Sequence, residues 1–176
     1  FIELARALTA ARAALPRPEV ELLALEAFET VARAQGGQVA RESNQARFDY
    51  DVGKLVLTFA RAGRALETRF ELQLARPLTF ELGITLEATR SALDRWRHPD
   101  ISLQDAAFDG VFVVRGESPE EISALLDEAA RAALRVLAEH VARLEIDSRH
   151  VSASAFRAIH DPNELASLAD AVLRVA

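Results

Sequence analysis

The sequence predicts an α+β fold in which an antiparallel meander sheet has one face covered by about three amphipathic helices. Apolar and polar residues alternate over residues 66–74 and 78–86, a pattern typical of strands with one solvated face. Apolar residues recur at spacings of three and four over residues 19–35, 119–140 and 162–175, as in helices that cover a sheet. Half of the 176 residues are hydrophobic, so we expect residues 1–176 to form a single domain with its own core.

The N-terminal half predicts helices followed by strands. Residues 1–16 are rich in Ala and Arg and predict a helical lead-in, which Pro16 and Pro18 separate from the helix of residues 19–35. Gly36 and Gly37 end that helix, because glycine readily adopts the left-handed conformation of a helix C-terminus. Short alternating segments with turn residues between them then predict a meander of four or five strands over residues 38–87. These segments are residues 47–52, 54–60, 66–74 and 78–86.

Residues 105–121 combine a turn, a buried strand and the start of a helix. Asp109 and Gly110 are turn formers, and residues 111–114 are β-branched or aromatic, as in a strand that is covered on both faces. Ser118 stands at the N-cap position, Pro119 at the first helical position and Glu121 at the capping-box position. We therefore expect a helix to begin at residue 119 and to run to about residue 140.

The remaining segments predict two helices and two strands. A short helix is expected over residues 88–96, followed by a loop through residues 98–100. Residues 142–147 and 150–155 predict two short strands. Asp161 and Pro162 repeat the cap and proline signals of the preceding helix start and open a terminal helix that ends near residue 175.

The segment from residue 105 onward resembles a family of uncharacterised bacterial domains of unknown function, many of them membrane-associated. Their shared core runs Gly-Asp-x-x-Phe-Asp-x-x-Phe-x-Val, and Gln104 stands where the family has its Gly. The resemblance implies a fold and a membrane-associated context, but no activity, and we expect the matching residues to be structural. The matching residues are Asp105, Phe108, Asp109, Phe112 and Val114.

Composition excludes several classes of function. The net charge of −6 and the absence of a basic cluster interleaved with aromatic residues argue against nucleic-acid binding. The chain lacks cysteine, so disulfides and thiolate chemistry are excluded. No run reaches the roughly 18 apolar residues of a membrane-spanning helix. Because Phe1 is not a natural start and the chain has no Met, we expect that residues upstream have been removed, and an anchor could lie there.

Candidate catalytic and metal-binding residues are few. Asp100, Asp105 and Asp109 lie close in sequence, but their spacing is not that of a calcium loop, so we interpret them as turn and cap residues. His140, His150 and His160 are ten residues apart and cannot pair on one helix face. Nucleophile elbows and phosphate-binding glycine loops are absent. We therefore expect no catalytic, metal or cofactor site.

A surface for a protein partner or for self-association is the remaining class of site. Trp96 and His98 lie in the least regular part of the sequence, where loops carry function, and Trp is favoured at interfaces. We take these two residues as the candidate interface; the alternative for Trp96 is that its ring covers the edge of the core.

The sequence favours a noncatalytic binding or scaffolding domain. The resemblance implies that this domain belongs to a bacterial, membrane-associated protein, and we expect it in the cytoplasm or on the cytoplasmic face of the membrane. A homodimeric chaperone of the secretion type is the first alternative, because the order of helices and strands and the acidic surface resemble that class. A small-ligand-binding domain is the second, with an apolar cavity between sheet and helix lined by Phe70, Phe80 and Leu126.

Overall fold

The computed structural model describes residues 17–62, 65–89 and 100–176. The helices are α1 (Arg17–Gln35), α2 (Ala106–Asp109), α3 (Pro119–Leu125), α4 (Glu128–His140) and α5 (Pro162–Arg174). The strands are β1 (Gln38–Ala40), β2 (Gln45–Tyr50), β3 (Gly53–Ala62), β4 (Ala65–Leu74), β5 (Leu82–Leu86), β6 (Phe112–Gly116), β7 (Arg143–Asp147) and β8 (His150–Ala155). The predicted α+β class is confirmed.

The eight strands form one antiparallel sheet in the order β1-β2-β3-β4-β8-β7-β5-β6. Strands β1 to β4 follow one another as a meander of four strands, within the number expected. The meander ends at β4, whose other edge pairs with β8. Strand β5 does not pair with β4 and lies between β6 and β7. Strand order is thus set by pairings between segments that are far apart in the chain.

One face of the sheet and the helices build the core. Alternate strand residues such as Leu57, Phe70 and Ala153 face each other across neighbouring strands and are fully buried. Helix α1 packs on β1 to β3 through Phe28 and Val31, α5 packs between α1 and α4, and α5 also contacts β4. The apolar stripe of each helix therefore lies toward the sheet or toward a neighbouring helix, as the period of 3.6 residues requires.

The predicted helix over residues 119–140 is wrong in one respect, since it is two helices. Ser118 makes no side-chain capping hydrogen bond, α3 ends at Leu125, and Asp127 opens α4 by accepting a hydrogen bond from the amide of Ala130 at 2.8 Å. Periodicity does not reveal the break, because the buried residues Ile122, Leu126 and Ala130 keep a spacing of four across it. A carboxylate that satisfies a free amide of the second helix stabilises the new start.

Other predicted elements differ in length or cannot be compared. The strand expected over residues 78–86 pairs only over β5, while Leu78 and Phe80 pack half-buried against the core. Asp161 caps α5 as expected, accepting a hydrogen bond from the amide of Asn163 at 2.9 Å. The helical lead-in predicted for residues 1–16 lies outside the described residues. So does most of the helix expected over residues 88–96, of which the structure describes only the 3₁₀ turn Glu87–Thr89.

Candidate functional site

The residues of the family-like motif hold together the connection into β6. Asp105 caps the short helix α2 by accepting a hydrogen bond from the amide of Phe108 at 3.1 Å. Phe108 is fully buried and stacks on Phe112, with 4.5 Å between the ring centroids. Val114 is buried in β6. In this arrangement the motif residues make contacts within the chain itself, as capping and core residues do.

The turn before the motif keeps a glycine-like conformation although it has no glycine. Gln104, which stands where the family has Gly, has a φ angle of 58°. Asp109 holds this turn from the other side, accepting hydrogen bonds from the Ser102 hydroxyl at 2.7 Å and from the Leu103 amide at 3.1 Å. Because the Cβ atom of a residue other than glycine clashes with the backbone in the left-handed conformation, the turn is maintained by these contacts despite Gln104.

The three carboxylates of this region have separate partners and do not meet at one point. Asp105 lies 3.6 Å from the guanidinium groups of both Arg131 and Arg135 on α4, whereas Asp100 lies 4.0 Å from Arg115 on β6. Asp109 accepts the hydrogen bonds from Ser102 and Leu103 that were described above. In the described ranges, no group of three or more metal-ligating side chains could hold an ion.

The histidines form no cluster of metal ligands among the described residues, although His140 and His160 both act electrostatically on Glu164. His140, at the end of α4, has its Nδ1 atom 3.0 Å from the Val136 carbonyl oxygen. His150 pairs with Asp147 at 2.7 Å across the β7–β8 turn, and His160 is exposed before α5. Trp96 and His98, the candidate interface, lie outside the described residues.

The proposed lining of an apolar cavity belongs to the packed core. Phe70 and Leu126 are fully buried, and Phe80 packs half-buried against the same cluster. All three side chains therefore pack in the core or against it.

The solvent-facing side of the sheet carries an ordered arrangement of charges. Strands β4 and β7 both neighbour β8 and each bears an Arg-x-Glu sequence. Their registers coincide, so that Arg69 and Arg143 both lie opposite Ser154, and Glu71 and Glu145 both lie opposite Ser152. The pairings that define this arrangement are Arg69↔Ser154, Arg143↔Ser154, Glu71↔Ser152 and Glu145↔Ser152. We call the row of two arginines and the row of two glutamates, with the serines between them, the polar trough.

The trough is a depression of about 280 Å³, with side chains from β4, β5, β7 and β8 around it. Neighbouring strands lie about 4.8 Å apart and successive residues on one face about 7 Å apart. The two walls on β4 and β7 are thus about 10 Å apart, and the arginine row lies about 7 Å from the glutamate row. The small serine side chains of β8 form the floor, which is why the surface is concave there.

Glu67 closes the arginine end of the polar trough. Its side chain is only 5% exposed and accepts hydrogen bonds from Arg69 at 3.2 and 3.3 Å. Burial alone would raise the pKa of Glu67, but hydrogen bonds from Ser154 and Arg69, together with the charges of Arg69 and Arg143, hold that pKa below its ordinary value. The buried carboxylate is therefore ionised at neutral pH and partly neutralises Arg69.

The other charged side chains of the trough have fewer ion-pair and hydrogen-bond partners among the described residues. Arg143 lies over the half-exposed ring of Phe156, 5.0 Å from its centroid, and has no ion pair or direct hydrogen bond to another described residue. Glu71 lies 3.7 Å from Arg69 with its side chain half exposed. Glu145 is exposed and, among the described residues, has no hydrogen-bond or ion-pair partner. The trough therefore presents one arginine and two glutamates that the fold leaves largely available.

A second depression lies on the opposite, helical side of the molecule. It is a groove of about 510 Å³ between α4 and α5, and its walls consist mainly of alanine side chains together with Val136, Asp170 and Arg174. Small side chains allow close approach of another surface, but the groove holds no cluster of charged groups comparable with the trough.

The described helices contain none with both the length and the apolar character that a membrane crossing needs. The fold and the site define an α+β protein with a one-sided antiparallel sheet whose open face carries the polar trough. No protein-family model matches the chain, and no curated protein matches it.

A solved structure with a similar fold is the crystal structure of the mycobacterial trehalose monomycolate transport factor A, TtfA. The TM-score is 0.54, with 7% sequence identity over 86% of this chain and 91% of that chain. At this identity the likeness shows a shared fold alone.

Sequence reasoning missed the polar trough although it placed part of it correctly. Alternation in residues 66–74 put Glu67, Arg69 and Glu71 on the solvated face. The signal that could have pointed further is the repeated Arg-x-Glu in two predicted strands, Arg69 to Glu71 and Arg143 to Glu145. Its meaning depends on β8 lying between those strands in one register, which no local pattern specifies.

Proposed function

We propose that this chain is a noncatalytic protein-binding domain that binds its partner through the polar trough. The observation that carries the proposal is the shared register of β4 and β7 on β8, which aligns like charges in rows. Opposite charges on neighbouring strands stabilise a sheet, whereas aligned like charges do not. Glu67 and Glu71 offset the charge of Arg69, whereas Arg143 and Glu145 form no ion pair with another described residue, and a complementary partner would supply their counter-charges.

The context of the proposal is a bacterial, membrane-associated protein that acts at the cytoplasmic face of the membrane. The motif around Asp105 and Phe108 supports this through its resemblance to membrane-associated bacterial domains. A mycobacterial transport factor has a similar fold, which is compatible with a noncatalytic role. The motif residues themselves serve the fold, since Asp105 caps a helix and Phe108 is fully buried.

A photo-crosslinking amino acid at Thr58 tests the proposal in cells that make the full-length protein. Thr58 lies beside Arg69 on β3, on the same face as the trough, and its replacement removes none of the trough charges. Ser123, exposed on α3, is the matched control position. We expect a discrete protein adduct from position 58 and none from position 123. Equal adducts from both positions, or none from position 58, would contradict a binding role for the trough.

The mass in solution separates this proposal from the chaperone alternative. A protein-binding module of this kind is expected to elute as a monomer in size-exclusion chromatography with light scattering. A stable dimer whose mass does not change with the salt concentration would favour the homodimeric chaperone.

A further inference from the structure

We infer that the occupant of the polar trough is an extended polypeptide segment with an acidic and a basic residue two positions apart. This inference rests on the proposed function and specifies its partner. The acidic residue lies against Arg143, since Arg69 is already bound by the chain's own Glu67, and the basic residue lies between Glu71 and Glu145. The residue between them points away from the sheet.

The spacing of the rows matches an extended chain. In a strand, residues i and i+2 project from the same face and lie about 7 Å apart. The arginine row and the glutamate row are separated by the same two-residue step, because Arg69 to Glu71 and Arg143 to Glu145 are themselves i and i+2 pairs. A segment lying along β8 therefore brings both of its charged side chains opposite complementary rows.

The width and depth of the trough favour a single segment. The walls are about 10 Å apart, or two strand spacings, which leaves room for one extended chain above the floor. Ser152 and Ser154 keep that floor low, and the depression of about 280 Å³ is concave. A second copy of the same concave face would meet it wall to wall, so a narrow convex segment fits better.

The available charges determine the chemistry of the segment. Arg143 makes no ion pair with another described residue, although its charge also acts on Glu67, whereas Arg69 is hydrogen-bonded to Glu67 directly. Glu71 and Glu145 form the anionic end, and Glu145 has no ion-pair partner among the described residues. A segment with charges of one sign would be attracted by one row and repelled by the other. Only a segment with both signs at the right spacing is attracted by both rows.

Synthetic peptides test the spacing directly, by titration into the isotopically labelled protein and measurement of amide chemical shifts. One peptide contains Glu-Ser-Lys, a second has Glu and Lys adjacent, a third separates them by two residues, and a fourth contains Glu-Ser-Glu. We expect Glu-Ser-Lys to bind about tenfold more tightly than the others, because each of them loses its contacts to one row of two charges. The shifts should centre on Ser152 and Ser154, and binding should weaken with added salt.

The variant Glu145→Lys tests the assignment of the rows. It should abolish the preference for Glu-Ser-Lys over Glu-Ser-Glu, because the row then holds one negative and one positive charge, whereas the control Glu139→Lys, on an exposed face of α4, should leave the preference unchanged. Urea unfolding of both variants verifies that they are folded. Equal binding of all spacings, or preference of the unaltered protein for Glu-Ser-Glu, overturns the inference, as does a mass increase that shows a second copy in the trough.

The protein-binding function and the extended mixed-charge segment can be refuted separately. If the peptides do not bind but position 58 still gives a discrete adduct, the extended mixed-charge segment is wrong and the protein-binding function stands. If position 58 gives no adduct and the peptides do not bind, the trough is not a binding surface.

Discussion

Replacing Gln104 with glycine should stabilise this protein. Gln104 has a φ angle of 58°, and the left-handed conformation costs a residue other than glycine about 1 to 2 kcal/mol. Glycine removes that cost but increases the conformational freedom of the unfolded chain, which opposes the gain by about 0.4 to 1 kcal/mol. The expected net change is an increase of about 0.5 to 1 kcal/mol in the free energy of unfolding. The exposed Gln104 side chain has no hydrogen bond to another described residue, and the backbone amide at this position keeps its hydrogen bond to the Ser102 hydroxyl oxygen at 3.2 Å.

Urea unfolding followed by circular dichroism measures this change through the transition midpoint at constant slope. A rise in the melting temperature of about 1 to 4 °C should accompany it for a chain of this size. Ala107→Gly is the matched control, since Ala107 is exposed within the right-handed helix α2 and should lose about 0.5 to 1 kcal/mol. If Gln104→Gly lowers the midpoint as Ala107→Gly does, the turn is not strained. The left-handed backbone at residue 104 would then not explain why the family has glycine at this position.

Four further substitutions test the core, the caps and the trough. Phe108→Ala should cost about 3 to 5 kcal/mol in urea unfolding, because the ring is fully buried; a cost below about 1 kcal/mol would show that the site collapses or was never packed. Asp105→Ala should cost about 2 kcal/mol and Asp127→Ala about 1 kcal/mol, since both lose a cap but only Asp105 also loses two ion pairs; equal losses would mean that the ion pairs contribute nothing. The pKa of Glu67 is lower in the folded state, so its stabilising contribution is present at neutral pH and disappears as the pH falls below about 4. The difference in unfolding midpoint between the unaltered protein and Glu67→Gln should therefore shrink from pH 7 to pH 3, and a constant difference would contradict the ionised, paired carboxylate.

Local patterns were sufficient for elements that depend on neighbouring residues. The alternation of residues 66–74 predicted a strand with Phe70 and Leu72 buried, because successive side chains of a strand lie on opposite faces. The proline and cap signals at Asp161 predicted the start of α5, since they act within one helical turn. The helix over residues 119–140 was predicted without its break, because the Asp127 cap does not interrupt the apolar spacing.

The sequence by itself determined which face each strand residue occupies, and hence that Arg69 and Glu71 are solvated. Only the tertiary structure decided that β8 lies between β4 and β7, which brings Arg143 and Glu145 into the same rows. The physical reason is that the two-residue period of a strand is a local property of the backbone, whereas strand order and register follow from burying one continuous apolar face with segments distant in the chain. The polar trough is a consequence of that register.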